Sequence, residues 1–186
     1  MKRIILAITG ASGAILGIRT LELLQEAGAE THLVISTAAR QTIQSETDWK
    51  LPNVESLASF RYDPQDIGAR IASGSFTTDG MLIAPCSIKT LSGVANSYTD
   101  NLVVRAADVC LKEGRRLILA VRETPLHAGH LRLMQQATEA GAVIFPPVPA
   151  FYAAPKTVDE LVTHLAGRML LRLGVENERY PRWDGG

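Results

Sequence analysis

Apolar runs of strand length alternate along the chain with longer stretches in which apolar residues return every three or four positions. The short runs predict strands at Arg3–Ile8, Thr31–Ile35, Gly80–Ala84, Leu117–Val121 and Ala142–Phe145, with a weaker sixth near Phe60–Tyr62. Each run is nearly continuous rather than alternating, which is what a parallel sheet covered on both faces requires. The periodic stretches predict helices at Ala14–Ala27, Thr37–Ser45, Lys89–Ala95, Leu102–Lys112, Gly129–Ala140 and Val158–Leu173. Gly28, Pro125, Pro146 and Pro147 mark joints, and 47–79 is the least regular region. The order predicts an α/β fold, a doubly wound, mostly parallel sheet of the flavodoxin or Rossmann kind with helices on both faces.

Composition adds bounds to this picture. No repeat or linker interrupts the order, and 186 residues with 46% hydrophobic content can bury one large core, so residues 1–186 read as a single domain. The tail from about 174 to 186 is expected to pack at an edge or on a neighbouring subunit. Nineteen basic side chains balance nineteen acidic ones, so no long-range field gathers nucleic acid or an anionic membrane, and any anion must be held by a local cluster. No apolar stretch reaches the roughly 18 residues of a membrane span. The short run after Lys2 and Arg3 lacks the marks of a signal peptide, so a cytoplasmic protein is expected. Cys86 and Cys110 sit in apolar surroundings without metal-ligand spacing and read as core thiols; no metal site is expected.

The first joint carries candidate chemistry. "ITGASGAILG", residues 8–17, stands between the first strand and the first helix, where open α/β sheets bind ligands and where helix amides and the helix dipole favour an anion. Gly10 and Gly13 permit close backbone approach, and Ser12 adds a hydroxyl, so a phosphate is the expected guest. A purely structural tight turn would use similar residues. The glycines at 10, 13 and 17 do not follow the Gly-x-Gly-x-x-Gly spacing, and the second strand ends in Ser36 and Thr37 rather than in an acidic residue. Hydroxyls suit a phosphate monoester better than a ribose diol, which favours a mononucleotide such as FMN over NAD.

Two more strand ends deliver polar side chains to the same edge. "PCSIKTLSG" clusters Ser87, Lys89, Thr90 and Ser92 at a helix start, of which N-capping explains one serine, and "VRETPLH" places Arg122 and Glu123 after the next strand. Tyr152 and Lys156 in "YAAPK" have the spacing of a dehydrogenase pair, but Pro155 breaks the helix that would align them. His127 and His130 lie at a predicted helix start and read as capping or packing residues rather than general bases. Arg105 and Lys112 are either binding residues or ordinary surface charge; Arg105 can pair with Asp108 along its helix.

Taken in order, "TGASGA", "SGSF", "PCSIKTLSG", "RAADVCLKE", "VRETPLH", "PPVPAFY" and the closing "PRW" resemble the flavin prenyltransferases that accompany reversible aromatic and acrylic acid decarboxylases, over residues 3 to about 183. The resemblance implies that FMN is bound as a substrate and receives a fourth ring from dimethylallyl monophosphate without a metal. It also implies a homododecamer built from trimers, with active sites at subunit junctions and the product handed to a decarboxylase partner. Carried onto this chain, it places FMN against Gly10, Ala11, Ser12, Ser36, Ser87, Ile88, Lys89, Thr90 and Arg122, and the prenyl phosphate against Arg105, Lys112, Arg122, Tyr152 and Arg168. Arginine forks and a lysine point charge suit a phosphate dianion.

An allylic phosphate leaves as an anion and leaves positive charge on carbon, so the site must neutralise one and shelter the other. The resemblance gives Trp183 the second task, beside the flavin ring, and makes Ser12, Glu46 and Glu123 the candidates for moving the proton shed on ring closure. Glu46 in "QSETD" also reads as a solvated helix-end carboxylate. Two alternatives remain: an FMN-dependent decarboxylase of cysteine derivatives or phenolic acids, and an FMN carrier subunit without chemistry. The former uses a catalytic histidine early in the chain, where His32 falls within a strand.

Overall fold

The computed structural model describes residues 1–180. Six strands, β1 (Arg3–Ile8), β2 (Glu30–Ile35), β3 (Phe60–Tyr62), β4 (Gly80–Cys86), β5 (Arg116–Val121) and β6 (Val143–Ile144), pair in parallel in the order β3-β2-β1-β4-β5-β6. The helices are α1 (Ala14–Glu26), α2 (Thr37–Glu46), α3 (Leu51–Ser56), α4 (Ile88–Ala95), α5 (Leu102–Lys112), α6 (Ala128–Glu139) and α7 (Val158–Arg172). Parallel pairing sets every strand's carboxyl end along one edge, and the order reverses between β1 and β4, which opens a crevice there.

The strands serve two cores. Ile4, Leu6 and Ile8 face one side with Leu33, Leu82 and Ile118, covered by α1, α2 and α7; Ile5 and Ala7 face the other with Met81, Ile83 and Leu119, covered by α4, α5 and α6. Period-two alternation with both faces buried explains why the strand sequences read as unbroken apolar runs.

The region without clear pattern holds α3 and a 3-10 turn at Arg70–Ala72. Pro52 falls in the first turn of α3, where its missing N–H costs no helical bond. Val54 is the one fully buried residue of α3, with Leu51 partly buried against the same core, which leaves little apolar periodicity for the sequence to display.

His32 is wholly buried in β2 and closes a polar chain. Arg70 Nε donates to the Tyr62 hydroxyl at 2.8 Å, that hydroxyl donates to His32 Nδ1 at 2.8 Å, and His32 Nε2–H donates to Glu30 at 2.9 Å, with Arg3 on the same carboxylate. Phe60 and Phe76 pack on the ring. Burial pushes the imidazole below its ordinary range, outweighing the opposing pull of Glu30. The folded state therefore resists a proton that the unfolded chain accepts below about pH 6.5. Stability is expected to be full above that pH and to fall by up to about 1.4 kcal/mol per unit below it. Urea midpoints at pH 7.5 and 5.5 check this, and His32→Gln should flatten the difference.

Candidate active site

The crossing point between β1 and β4 is tied by a residue that no motif announces. Thr9, 1% exposed, donates its hydroxyl to the Pro85 carbonyl at 2.7 Å and accepts from the Ser87 amide at 2.9 Å, fastening the glycine loop to the start of α4. Thr9→Val keeps the shape but strands the Ser87 amide. A loss of about 1–3 kcal/mol is expected, measured as a shift in the urea midpoint, with weaker FMN binding as the two loops part.

Gly13 is the N-cap of α1 at φ 97°, a left-handed conformation open to glycine, and it has no side chain with which to cap. Glu46 supplies the missing acceptor from the end of α2. Its Oε2 takes the Gly13 amide at 2.7 Å and the Ala14 amide at 3.3 Å. The phosphate expected on these amides therefore meets a carboxylate already there, a correction to the reading of the loop. The neighbouring helix starts are capped by serine hydroxyls instead.

Those starts line a cleft of about 990 Å³ running from Ser36, Thr37 and Ala38 across Gly10 to Ser87, Lys89 and Thr90. Ser36 caps α2 by accepting from the Ala39 amide at 3.2 Å, and Ser87 caps α4 by accepting from the Thr90 amide at 3.3 Å, with the Thr90 hydroxyl 3.1 Å away. Lys89 stands in the first turn of α4, where the helix dipole disfavours a cation; an anion in the cleft reverses that preference. A Cβ on Gly10 would collide with Ala38, so this glycine lets the loop lie against α2. Size and lining fit a mononucleotide: helix starts and hydroxyls for a phosphate monoester, and a large open remainder for rings. Pro64, Gln65, Tyr98 and Asn101 also contribute to the walls. They come from turns without a recognisable pattern, so sequence reasoning passed them over.

The other sequence-derived residues fall in several places. Ala11 is buried, while Ser12, Arg122 and Glu123 are exposed and none of the four lines the cleft; Arg122 follows β5 and is held by its amide on the Cys86 carbonyl at 3.1 Å. Ile88 borders an adjacent groove with His127 and His130. His127 caps α6, its Nδ1 accepting from the Gly129 amide at 3.0 Å, and stacks on His130. Arg105 bonds the Ala72 carbonyl at 3.2 Å and Asp108 at 3.3 Å. Lys112 ends α5 at the opposite edge of the sheet, paired with Glu113. Within one chain, then, Arg105 and Lys112 are not brought to the Ser36–Ser87 cleft. Trp183 lies outside the described residues.

Tyr152 and Arg168 meet at a second place, beyond the end of β6. Arg168 lines a 310 Å³ hollow with Phe145, Pro146, Val148 and His164. The Tyr152 hydroxyl lies 3.1 Å from that of Tyr180 and 2.9 Å from His164 Nε2. The bond to Tyr180 holds the Tyr152 phenol above its ordinary range, against Arg168, so it stays a neutral proton donor. Tyr152 and Lys156 sit in irregular chain rather than on a helix, which removes the dehydrogenase geometry. Both cysteines are buried; burial pushes the Cys110 thiol up to about 11 and Cys86 higher still. His32 is sealed in β2 and lines none of the clefts described, so the cysteine-decarboxylase alternative loses the early histidine it would use. Among the described residues, no helix is long and apolar enough to cross a membrane.

The Flavoprotein family profile matches residues 1–170. Flavin prenyltransferase UbiX of Escherichia coli K12 is 56% identical over 188 residues, spanning 100% of both chains. Its counterpart in Archaeoglobus fulgidus is 54% identical, covering 97% of this chain and 99% of the relative. Among solved structures, AnUbiX (PadA1) in complex with FMN and dimethylallyl pyrophosphate superposes with a TM-score of 0.98 at 48% identity, covering 100% of this chain and 98% of the other. A dodecameric FMN-dependent UbiX-like decarboxylase from Escherichia coli O157:H7 superposes at 0.95 with 48% identity, covering 98% of this chain and 100% of the other.

Proposed function

The chain belongs to the flavin prenyltransferase family of flavoproteins, and from that premise we propose that it joins the dimethylallyl group of an allylic phosphate to N5 and C6 of reduced FMN. The prenylated FMN then serves a partner decarboxylase of aromatic acids. The carrying observation is the cleft at the β1–β4 crossing, which offers hydroxyls and a helix-start lysine while the amides of α1 are taken by Glu46.

Reduced flavin supplies the nucleophilic N5 and, after it, C6. The protein's tasks are to orient, neutralise and move protons. Ser36, Ser87 and Thr90 hold the FMN phosphate end, and Arg122 stands between this cleft and the Tyr152–Arg168 cluster along the sheet edge. Arg168 and the Tyr152 hydroxyl hold the departing phosphate, where preorganised donors lower the barrier most. Ser12 in the glycine loop, Glu46 at the end of α2 and Glu123 after Arg122 are the candidates for moving the proton shed on ring closure.

We assign the active sites to subunit junctions of a dodecamer. Tyr152 and Arg168 lie apart from the Ser36–Ser87 cleft, Lys112 lies at the far edge of the sheet, and Val148 and Phe151 beside the second cluster are 70% and 71% exposed in one chain. Neighbouring copies would cover that apolar surface and deliver Lys112.

The deciding test is mass spectrometry of the flavin after anaerobic incubation with reduced FMN and dimethylallyl monophosphate. Gain of one dimethylallyl unit is expected. Unmodified FMN recovered from protein that binds both ligands would overturn the reading for this donor, and the diphosphate would be tried next.

A further inference from the structure

Lys112 is the last residue of α5, and its ammonium stands on a flexible four-carbon stem with nearly half of the side chain exposed. The backbone it lies against comes from another part of the chain, the loop 72–76 ahead of β4. Arg105, seven residues before Lys112, donates Nε to the Ala72 carbonyl at 3.2 Å. Arg115, three residues after it, donates Nη2 to the Gly74 carbonyl at 2.5 Å and Nη1 to the Phe76 carbonyl at 2.8 Å. Arginines on either side of Lys112 therefore hold three alternate carbonyls of the loop, and the loop is fixed relative to the end of α5.

Gly74 is the point of contact. An added Cβ would collide with Glu113 Oε1 and come within 2.8 Å of Lys112 Nζ. The Gly74 backbone is not left-handed, so its conformation admits other residues, and the space is what asks for glycine. Lys112 pairs with Glu113 over this bare Cα. That bond to the ammonium, with Arg115 adding its field, holds the Glu113 carboxyl below its ordinary range, so it stays an anionic anchor. Both obstacles to a methyl group are the ends of flexible side chains, which turn aside at little cost in packing. A methyl there would move the ammonium rather than the fold.

We propose that Gly74 is a positioning residue: with its loop fixed by Arg115, its bare Cα sets where the Lys112 ammonium stands, and so where that charge meets the donor phosphate at the junction with a second copy of this chain. The inference rests on the reading that Lys112 is delivered to that phosphate.

The test measures binding of isopentyl monophosphate, which lacks the allylic double bond and does not react, to the protein–FMN complex by calorimetry. Gly74→Ala is expected to weaken it about tenfold, the scale of one charge-assisted hydrogen bond put out of line, with FMN affinity and the urea midpoint unchanged. Arg115→Met releases the Gly74 and Phe76 carbonyls and should bring a loss of about the same size. On a Lys112→Ala background neither change should cause a further loss, because both act through the ammonium. Equal loss in both backgrounds, a parallel fall in FMN affinity, or full affinity in either single variant would each overturn the assignment. Failure of the underlying reading looks different: Lys112→Ala alone would then bind isopentyl monophosphate as well as the parent does, and the assignment would fall with it.

Discussion

Arg168→Ala is expected to lower kcat/KM for the dimethylallyl donor by about 10²- to 10³-fold while FMN affinity stays unchanged, the scale set by loss of one preorganised donor to a developing anion. The guanidinium stands with Tyr152 beyond β6, outside the cleft of Ser36 and Ser87, so donor and flavin binding should separate cleanly. Charge alone does not rescue: Arg168→Lys should recover only part of the loss, since an ammonium lacks the planar fork that would grip a phosphate by two bonds. Single-turnover rates by flavin mass spectrometry and FMN titration by fluorescence give the two readouts. A variant that lost FMN and donor binding equally would place Arg168 in the flavin site. One that bound FMN and lost only transfer would also remove the carrier alternative.

Gly17→Ala is expected to be the most destabilising small substitution in the glycine loop and its helix, at about 3 kcal/mol or more. The added methyl would collide with the Ala84 carbonyl and lie 2.7 Å from Ile8 Cγ1, pushing α1 off β1 and β4 at the crossing point itself. Backbone and a fully buried isoleucine cannot yield as a flexible side chain would. Gly28 supplies the control, with φ +65° and nothing within 4 Å of an added Cβ, so Gly28→Ala should cost only about 1 kcal/mol of backbone strain. Urea unfolding of the three proteins side by side checks the ranking. Equal midpoints for the two variants would mean that the helix shifts without penalty.

This contrast shows where the sequence was readable. Gly10, Gly13 and Gly17 look alike in a string, yet the first yields to α2, the second adopts a left-handed turn and the third admits α1 onto the sheet. Periodicity found β1 with its bounds unchanged and α5 likewise, because burial of both sheet faces and one helix face is a repeating constraint. α3 escaped because a six-residue helix with one buried side chain repeats nothing. The hydroxyls of Ser36 and Ser87 were legible from their position after strands. Thr9 was not, since a threonine at a strand end is unremarkable until Pro85 and Ser87 are seen to meet it. Nor was the bond from Glu46 to Gly13, across 33 positions, or that from His164 to Tyr152, because only the tertiary fold makes either pair neighbours.

The carboxylate on the amides of α1 bears on which nucleotides can compete for the site. A tethered group acts at an effective concentration in the millimolar range or above, so a free phosphate arriving at Gly13 and Ala14 must displace a rival that never diffuses away. A dinucleotide laid across the crossing point in the usual manner would bring its pyrophosphate to those two amides and meet like charge there. A mononucleotide with its phosphate at Ser36 has no such encounter. The Glu46 carboxylate therefore opposes a second anion at these two amides.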